Sequence, residues 1–390
     1  MEILSYFVWD PNPEIFPNFI DNWKVSPRYY GLLFAFGFIL SQQFLFYIFR
    51  KEGKPKRDVE VLTIYMVLTT LIGARIGHVI FYEPEVYLRN PIEILKIWRG
   101  GLASHGAALG ILIGLFLYVN YYYDVRTMRQ FPFLKSKFRK KQKEGQTFLW
   151  IVDRLVMVVA LTGCFIRVGN FINSEIIGKP TDLPIGVVFA RSAEESIASN
   201  PAIDHVEASK WKKKHDKSIY RPVLLTVNFK RENFPETGIR NYLESEVKHI
   251  LSSYPAVTEH FQEPPNEPLN YILKKQDGVF QAQIKTYGIA RHPAQLYEAF
   301  TSFLLFILLF VIWNKRKLNT LPGLLFGMFL VILFSLRFLY EFLKENQVGF
   351  EEKIPLNMGQ WLSLPFIILG VYILLRFGKK VPKKEEKTQA

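Results

Sequence analysis

The chain has 390 residues, 49% of them hydrophobic, with 34 phenylalanines, 49 Lys and Arg against 35 Asp and Glu, and one cysteine. So much apolar surface excludes a disordered chain, and one cysteine excludes an internal disulfide framework or a cysteine zinc cage. The net charge of +14 admits nucleic acid or a membrane surface as partner until the charges are located.

Seven apolar runs come near the roughly 20 residues that cross a bilayer core. They are 29–49, 59–82, 101–122, 147–169, 295–313, 321–343 and 358–376. The fifth is the clearest, since Phe303–Trp313 holds no charge or amide. The first is preceded by Asp10, Glu14 and Asp21 and by no basic segment, so a cleaved signal peptide is not expected.

The connections alternate in charge. Residues 50–58 hold Arg50, Lys51, Lys54, Lys56 and Arg57, and 126–143 hold eight basic residues. The 314–320 turn holds Lys315, Arg316 and Lys317, and the tail from Arg376 holds six. The alternate connections 83–100 and 344–357 hold three and two, the latter beside Glu345, Glu351 and Glu352. Basic loops stay cytoplasmic, so the N-terminus is expected outside and the C-terminus inside. The charge is then a topology signal, basic loops rest on anionic lipid, and no nucleic acid is needed as partner.

Residues 180–290 read as a small α+β module outside the membrane. Val223–Phe229 has strand composition, and Thr237–Tyr254 places Ile239, Tyr242, Val247 and Ile250 at helical spacing. Leu269–Lys275 and Val279–Tyr287 flank Asp277-Gly278, a hairpin signal. The charged stretch 190–220 is expected to be partly mobile. His205, His215, His249 and His260 lack ligand spacing, and no metal or cofactor is expected. The expected architecture is an all-α polytopic membrane protein of seven transmembrane helices with an α+β periplasmic insertion between helices 4 and 5. Its divisions are 1–179 for helices 1–4, 180–290 for the insertion, 291–377 for helices 5–7 and 378–390 for a basic cytoplasmic tail.

Ionisable residues within spans are costly and mark function by default. Arg28, Tyr29 and Tyr30 open the first span, and Arg75, His78 and Tyr82 close the second. His105 opens the third, and Arg167 and Asn170 close the fourth. Arg291, His292, Gln295, Tyr297 and Glu298 open the fifth, while Arg337, Tyr340 and Glu341 close the sixth. All fall at the outer ends of the expected helices. Arginine forks suit phosphate, and the abundant phosphate at that depth is a lipid head group. Arg337 and Glu341 can pair at i,i+4, and Gly106, Gly110 and Gly114 permit close helix contact beside His105. Arg28, Arg89 and Tyr29 read better as interfacial anchors, and Cys164 as packing.

Read in order, these residues resemble the bacterial prolipoprotein diacylglyceryl transferases. The resemblance rests on WRGGLASHGAALG at 98–110, RVGNFINSEIIG at 167–178 and RHPAQLYE at 291–298. Tyr30-Gly31, GARIGHVIFY at 73–82 and RFLYEF at 337–342 add to it. It implies an inner-membrane enzyme of seven helices that moves the diacylglyceryl group of phosphatidylglycerol onto the lipobox cysteine of a prolipoprotein, leaving a thioether and glycerol phosphate. The substrates, with membrane lipids, are its implied partners. His105 matches the histidine implied to help deprotonate the thiol, and Arg167 and Arg337 match arginines at the lipid phosphate. Asn170, Glu175 and Gly178 match functional residues of the second block. Tyr30 matches the first-helix tyrosine, and Glu341 the carboxylate that follows Arg337. Arg75, His292, Gln295 and Tyr297 complete the implied phosphatidylglycerol site. Ala107 replaces a second glycine common in the family, and 180–290 is longer than expected. The alternative reading of the same arginines is a lipid or organic-anion transporter, against which stands the lack of repeated halves.

Overall fold

The computed structural model describes residues 6–15, 27–96, 101, 103–123, 138–140, 145–211, 218–230, 235–276, 278–345 and 355–377. Several sequence features lie outside them: Asp21, residues 97–100 and 102, the basic loop except 138–140, His215, Asp277, Glu351, Glu352 and the 378–390 tail.

In chain order, β1 (Phe7–Trp9) precedes α1 (Tyr29–Lys51), α2 (Lys56–Phe81) and the short α3 (Pro84–Arg89). Next come α4 (Ser104–Asn120), the antiparallel pair β2 (Tyr121–Tyr123) and β3 (Phe138–Lys140), and α5 (Phe148–Ile172). The expected insertion begins with β4 (Val187–Phe189), α6 (Arg191–Ala198), β5 (Ile203–Lys210) and β6 (Tyr220–Phe229). Helices α7 (Glu236–Tyr242) and α8 (Lys248–Ser253) are joined by a π-helical turn, followed by α9 (Pro255–Thr258). The strands β7 (Phe261–Gln262), β8 (Tyr271–Gln276) and β9 (Val279–Ile289) complete that part. The chain then runs through α10 (Ala294–Arg316), α11 (Leu324–Tyr340) and α12 (Met358–Phe377).

Among the described residues six helices are long and apolar enough to cross a bilayer, which marks a polytopic membrane protein: α1, α2, α5, α10, α11 and α12. The third expected span is shorter than its apolar run. Gly101 turns at φ +73°, and the Ala103 N–H donates to Ala74 O at 2.9 Å, so α4 starts only at Ser104. Its 17 residues rise about 26 Å.

The chain forms two compact units. One comprises Met1–Phe36, Gly163–Ser302 and Ser335–Leu364, and the other Gly37–Thr162, Phe303–Phe334 and Pro365–Ala390.

In the first unit, β5, β6 and β9 form an antiparallel sheet, and β7 and β8 both pair with the far edge of β9. Alternation along β6 sends Val223, Leu225, Val227 and Phe229 into the core. Ile239, Leu243, Val247 and Leu251 of the α7–α8 segment join the same core. The expected strand, helix and hairpin are therefore present. The charged stretch 190–220, expected to be partly mobile, contains α6 and β5. Its charges escaped the strand pattern because they face solvent: β5 buries Ile203 and exposes Asp204, His205 and Glu207. The N-terminal segment also belongs here. β1 pairs in parallel with β4, with Trp9 opposite Phe189, and Tyr6 is buried with its hydroxyl donating to Pro222 O at 2.6 Å.

In the second unit, α2 and α4 pack glycine on glycine. A Cβ on Gly106 would lie 2.3 Å from Gly73 O, and one on Gly73 would lie 2.4 Å from Gly106 O. The glycine stripe beside His105 thus serves the close contact expected of it. This unit also holds a buried ionic cluster that the distribution of polar residues had not suggested. Arg154 Nη2 lies 2.8 Å from Glu52 Oε1, which also accepts from Trp313 Nε1 at 2.6 Å. Asp153 accepts the N–H groups of Gly323 (2.7 Å) and Phe326 (2.8 Å), supplying partners at the start of α11. Polar side chains therefore gather at the opposite helix ends too, as paired and hydrogen-bonded groups.

Candidate functional site

Three segments of the first unit bring its charged residues together: the end of α5 with residues 173–178, the start of α10, and the end of α11. Arg167 Nε lies 2.5 Å from Glu298 Oε2. Lys344 Nζ contacts Glu298 Oε1 and lies 2.9 Å from Glu341 Oε1. Arg337 Nε lies 3.8 Å from the same Glu341 oxygen. Cation and carboxylate thus alternate from Arg167 through Glu298, Lys344 and Glu341 to Arg337, leaving one positive charge in excess. The Lys344 side chain is 3% exposed, whereas that of Arg337 is 43% exposed, so the excess is accessible at the Arg337 end. Asn357 Nδ2 donates to Glu341 Oε2 at 3.2 Å and steadies the last carboxylate.

The second motif forms a hydrogen-bonded turn after α5. Asn170 Nδ2 donates to Glu175 Oε2 and Asn173 Nδ2 to Glu175 Oε1, both at 3.1 Å. Arg167 Nη1 reaches Asn170 Oδ1 at 3.5 Å, and Gln295 Nε2 donates to the Glu175 carbonyl at 2.6 Å. Ser174 and Ile176 adopt φ of +54° and +57°. Left-handed backbone at non-glycine residues costs on the order of 1–3 kcal/mol each, and such strain clusters at functional sites. Tyr30 packs on Gly169, where a Cβ would lie 2.8 Å from its ring.

Gly178 has a packing reason to be glycine. Its N–H donates to His292 O at 3.1 Å, and a Cβ would lie 2.5 Å from that oxygen and 2.9 Å from Leu343 O. His292 Nδ1 lies 3.2 Å from the Tyr297 hydroxyl. Burial lowers the His292 pKa from the ordinary imidazole value, and Asp182 acts in the opposite direction. Arg291 is buried and clamps three segments through Glu259 O, Gly178 O (3.2 Å) and Glu345 Oε1 (2.6 Å).

His105 and Arg75 belong to the second unit. His105 is exposed at the start of α4, stacked on Tyr82 at 5.8 Å and edge-on to Phe81 at 5.0 Å. Arg75 is buried and donates to the carbonyls of Ile94 (2.9 Å), Glu93 (2.6 Å) and Gly101 (3.1 Å). It thereby ties down chain just before His105. The structure thus joins Arg167, Asn170, Glu175, Gln295, Glu341 and Arg337 in one network, with Tyr30, Gly178, His292 and Tyr297 in the same unit.

Sequence reasoning missed Lys344 and Asn357 and gave Glu298 no partner. The available signal was the spacing Arg337, Glu341, Lys344, which puts two cations on one carboxylate along a helical turn. The partner at Glu298 is 46 residues away, beyond any local pattern. Among the described residues, no group of three or more His, Cys, Asp or Glu is placed to hold a metal ion.

A family model described as prolipoprotein diacylglyceryl transferase matches residues 17–376. The chain is 32% identical over 372 residues to a phosphatidylglycerol–prolipoprotein diacylglyceryl transferase of Tolumonas auensis, covering 95% of this chain and 98% of that protein. A protein of the same name from Chloroherpeton thalassium is 29% identical, with 97% of each chain covered. One from Bacteroides fragilis is 30% identical, with 95% of each covered.

Proposed function

The chain belongs to the prolipoprotein diacylglyceryl transferase family, and from that premise we propose that it transfers the diacylglyceryl group of phosphatidylglycerol to the lipobox cysteine of prolipoproteins, the first step of lipoprotein maturation. The observation that carries the site assignment is the alternating charge chain that ends on the accessible Arg337.

In this reading the phosphate of the donor lipid meets Arg337 and Arg167, whose forks match its oxygens. His105 takes the thiol proton, a general-base task that an imidazole nitrogen can perform. The sulfur forms a bond to the diacylglyceryl carbon that carries the phosphate ester, not to the head-group glycerol. The carbon–oxygen bond breaks, and glycerol phosphate leaves with the electron pair, its developing charge stabilised by the two guanidiniums. Glu341 holds Arg337 in place. Asn170, Glu175, Gly178, Gln295, His292, Tyr297 and Tyr30 shape the lipid site, and Arg75 fixes the segment that precedes His105. The nucleophile arrives with the substrate.

The same reading takes α4 as a seventh span, with the N-terminus outside and the C-terminus cytoplasmic. It makes 180–290 a periplasmic insertion, 1–179 and 291–377 the membrane part of a bacterial inner-membrane protein, and 378–390 a cytoplasmic tail. Charge alternation in the loops supports it.

The test is to incubate the purified full chain with radiolabelled phosphatidylglycerol and a lipobox peptide. Wild type is expected to yield labelled thioether peptide, with little or none from His105→Ala or Arg337→Ala. No product from wild type, or full activity in both variants, rejects the reading.

A further inference from the structure

We propose that Arg191, a residue of the long insertion, is a positioning residue for the transfer reaction, capping the end of α5 so that the strained turn after it presents Asn170 and Glu175. The proposal rests on the reading of those two residues as part of the lipid site.

An α-helix leaves its last carbonyls without helical partners. At the end of α5 two of them receive side chains from outside the helix. Ile172 O accepts from Arg191 Nη2 at 2.5 Å, and the same nitrogen lies 3.5 Å from Ser174 Oγ. Phe171 O accepts from Trp9 Nε1 at 2.9 Å, and the indole stacks on the Phe171 ring with centroids 4.4 Å apart. A guanidinium here also meets the negative end of the helix dipole.

The two donors come from one built element. Trp9 ends β1, and Phe189, opposite it in β4, stands two residues before Arg191. Ala190, between them, donates its N–H to Trp9 O at 3.0 Å. Arg191 opens α6, whose Ala193 and Ile197 are fully buried in the insertion core. The small parallel sheet thus couples the folded insertion and the N-terminal strand to the end of α5.

The residues thus held lie between the two site groups. Asn170 precedes Phe171 and Ile172, and its side-chain bond to Glu175 spans the turn. Ser174 and Ile176 hold positive φ inside it, a conformation that persists only where surroundings over-determine it. The Glu175 N–H donates to Asn170 O and the Ser174 N–H to Phe171 O, so relaxation of the turn shows directly as faster exchange of these amides. Arg191 hydrogen-bonds neither Asn170 nor Glu175; it holds the backbone between them through Ile172 O and also feels the Glu175 charge.

The test compares wild type, Arg191→Ala, Arg191→Lys and Trp9→Phe as full chains in phosphatidylglycerol proteoliposomes. It reads kcat and KM for a lipobox peptide, and hydrogen exchange of residues 171–178 against strands β6 and β9. Arg191→Ala is expected to lower kcat by about 10- to 100-fold with KM within about twofold. Exchange at 173–175 should rise while the sheet keeps wild-type protection. Arg191→Lys should recover part of kcat, and Trp9→Phe, which keeps the stack but loses the donor, should show a smaller loss. Wild-type kcat and exchange in Arg191→Ala overturn the proposal, as does a kcat loss accompanied by equal loss of protection in β6 and β9. Should Arg191→Ala fail to fold, wild-type exchange at 173–175 in Trp9→Phe overturns it. A wild type without transferase activity counts against the reaction itself, and the exchange comparison then decides the capping role alone.

Discussion

Lys344 Nζ lies 2.9 Å from Glu341 Oε1 and also contacts Glu298, so one buried ammonium stands between two carboxylates. Removing it leaves Glu298 with Arg167 and Glu341 with the more distant Arg337, and loses two charge-assisted hydrogen bonds, a change that costs about 1.5–3 kcal/mol. Lys344→Met is therefore expected to lower the unfolding free energy in detergent by that order, and to lower activity because Glu341 is then drawn more strongly onto Arg337. Lys344→Arg should retain most of both. Denaturant titration of the three proteins measures the difference.

The buried pair of Glu52 and Arg154 predicts a different outcome. Arg154 is fully buried, with its guanidinium over the Trp150 ring at 4.5 Å and on Glu52 at 2.8 Å. Arg154→Met should cost about 3–5 kcal/mol of stability, because it takes the cation from the buried Glu52 carboxylate. The folded fraction should keep wild-type kcat, since neither residue has a role in the proposed chemistry. A kcat that falls in the folded fraction contradicts that division of labour.

Two glycines in apolar helices separate close contact from open space. Gly106→Ala places a methyl 2.3 Å from Gly73 O, which forces α2 and α4 apart and disturbs the neighbouring His105. A loss of about 1–3 kcal/mol and a lower kcat are expected. Gly31→Ala meets nothing within 4 Å, so stability should hold or rise by up to about 1 kcal/mol. Paired melting curves and initial rates check both.

The stability of the first unit should fall at both pH extremes. Burial, with Arg291 adding to it, lowers the His260 pKa from 6.5 to about 4, so the unfolded chain binds the proton more readily. That contribution to stability is present above pH 6.5 and is lost as pH falls towards 4. Burial, then the hydrogen bond and charge of Asp10, raise the Glu194 pKa from 4.5 to about 9. The folded chain then holds the proton more tightly, so this contribution is lost as pH rises from 4.5 to 9. Glu194→Gln should flatten the decline above neutrality, and His260→Phe the decline on the acid side, in unfolding curves followed by tryptophan fluorescence.

The long elements were legible from local sequence. The helices α1, α2, α5, α10, α11 and α12 announce themselves by length and apolar content, β6 by composition, β8 and β9 by the Asp277-Gly278 turn signal between them, and the α7–α8 segment by helical spacing. The motif blocks identified Arg167, Asn170 and Glu175, whose contacts with one another span eight residues of sequence, but not the distant Glu298 and Gln295 that they also meet. What escaped is non-local. The pairing of β1 with β4 joins three residues on each side, some 180 positions apart, and no pattern that short stands out. Lys344 looked like an ordinary loop cation because Glu298, its second partner, is on another helix. Glu52 lies in the basic 50–58 connection and Asp153 and Arg154 in the fourth expected span, and only packing shows them buried against one another. The start of α4 depended on Gly101 and on the Ala103–Ala74 bond, which hydropathy does not register.

The most direct test of the central claim is a stoichiometry. Wild-type protein is incubated with phosphatidylglycerol labelled in its head-group glycerol and with a lipobox peptide, and thioether peptide and free glycerol phosphate are counted together. The account predicts one glycerol phosphate released for each thioether formed, with both falling together in Arg167→Ala and Arg337→Ala. Release of unphosphorylated glycerol, or thioether formed without glycerol phosphate, contradicts it.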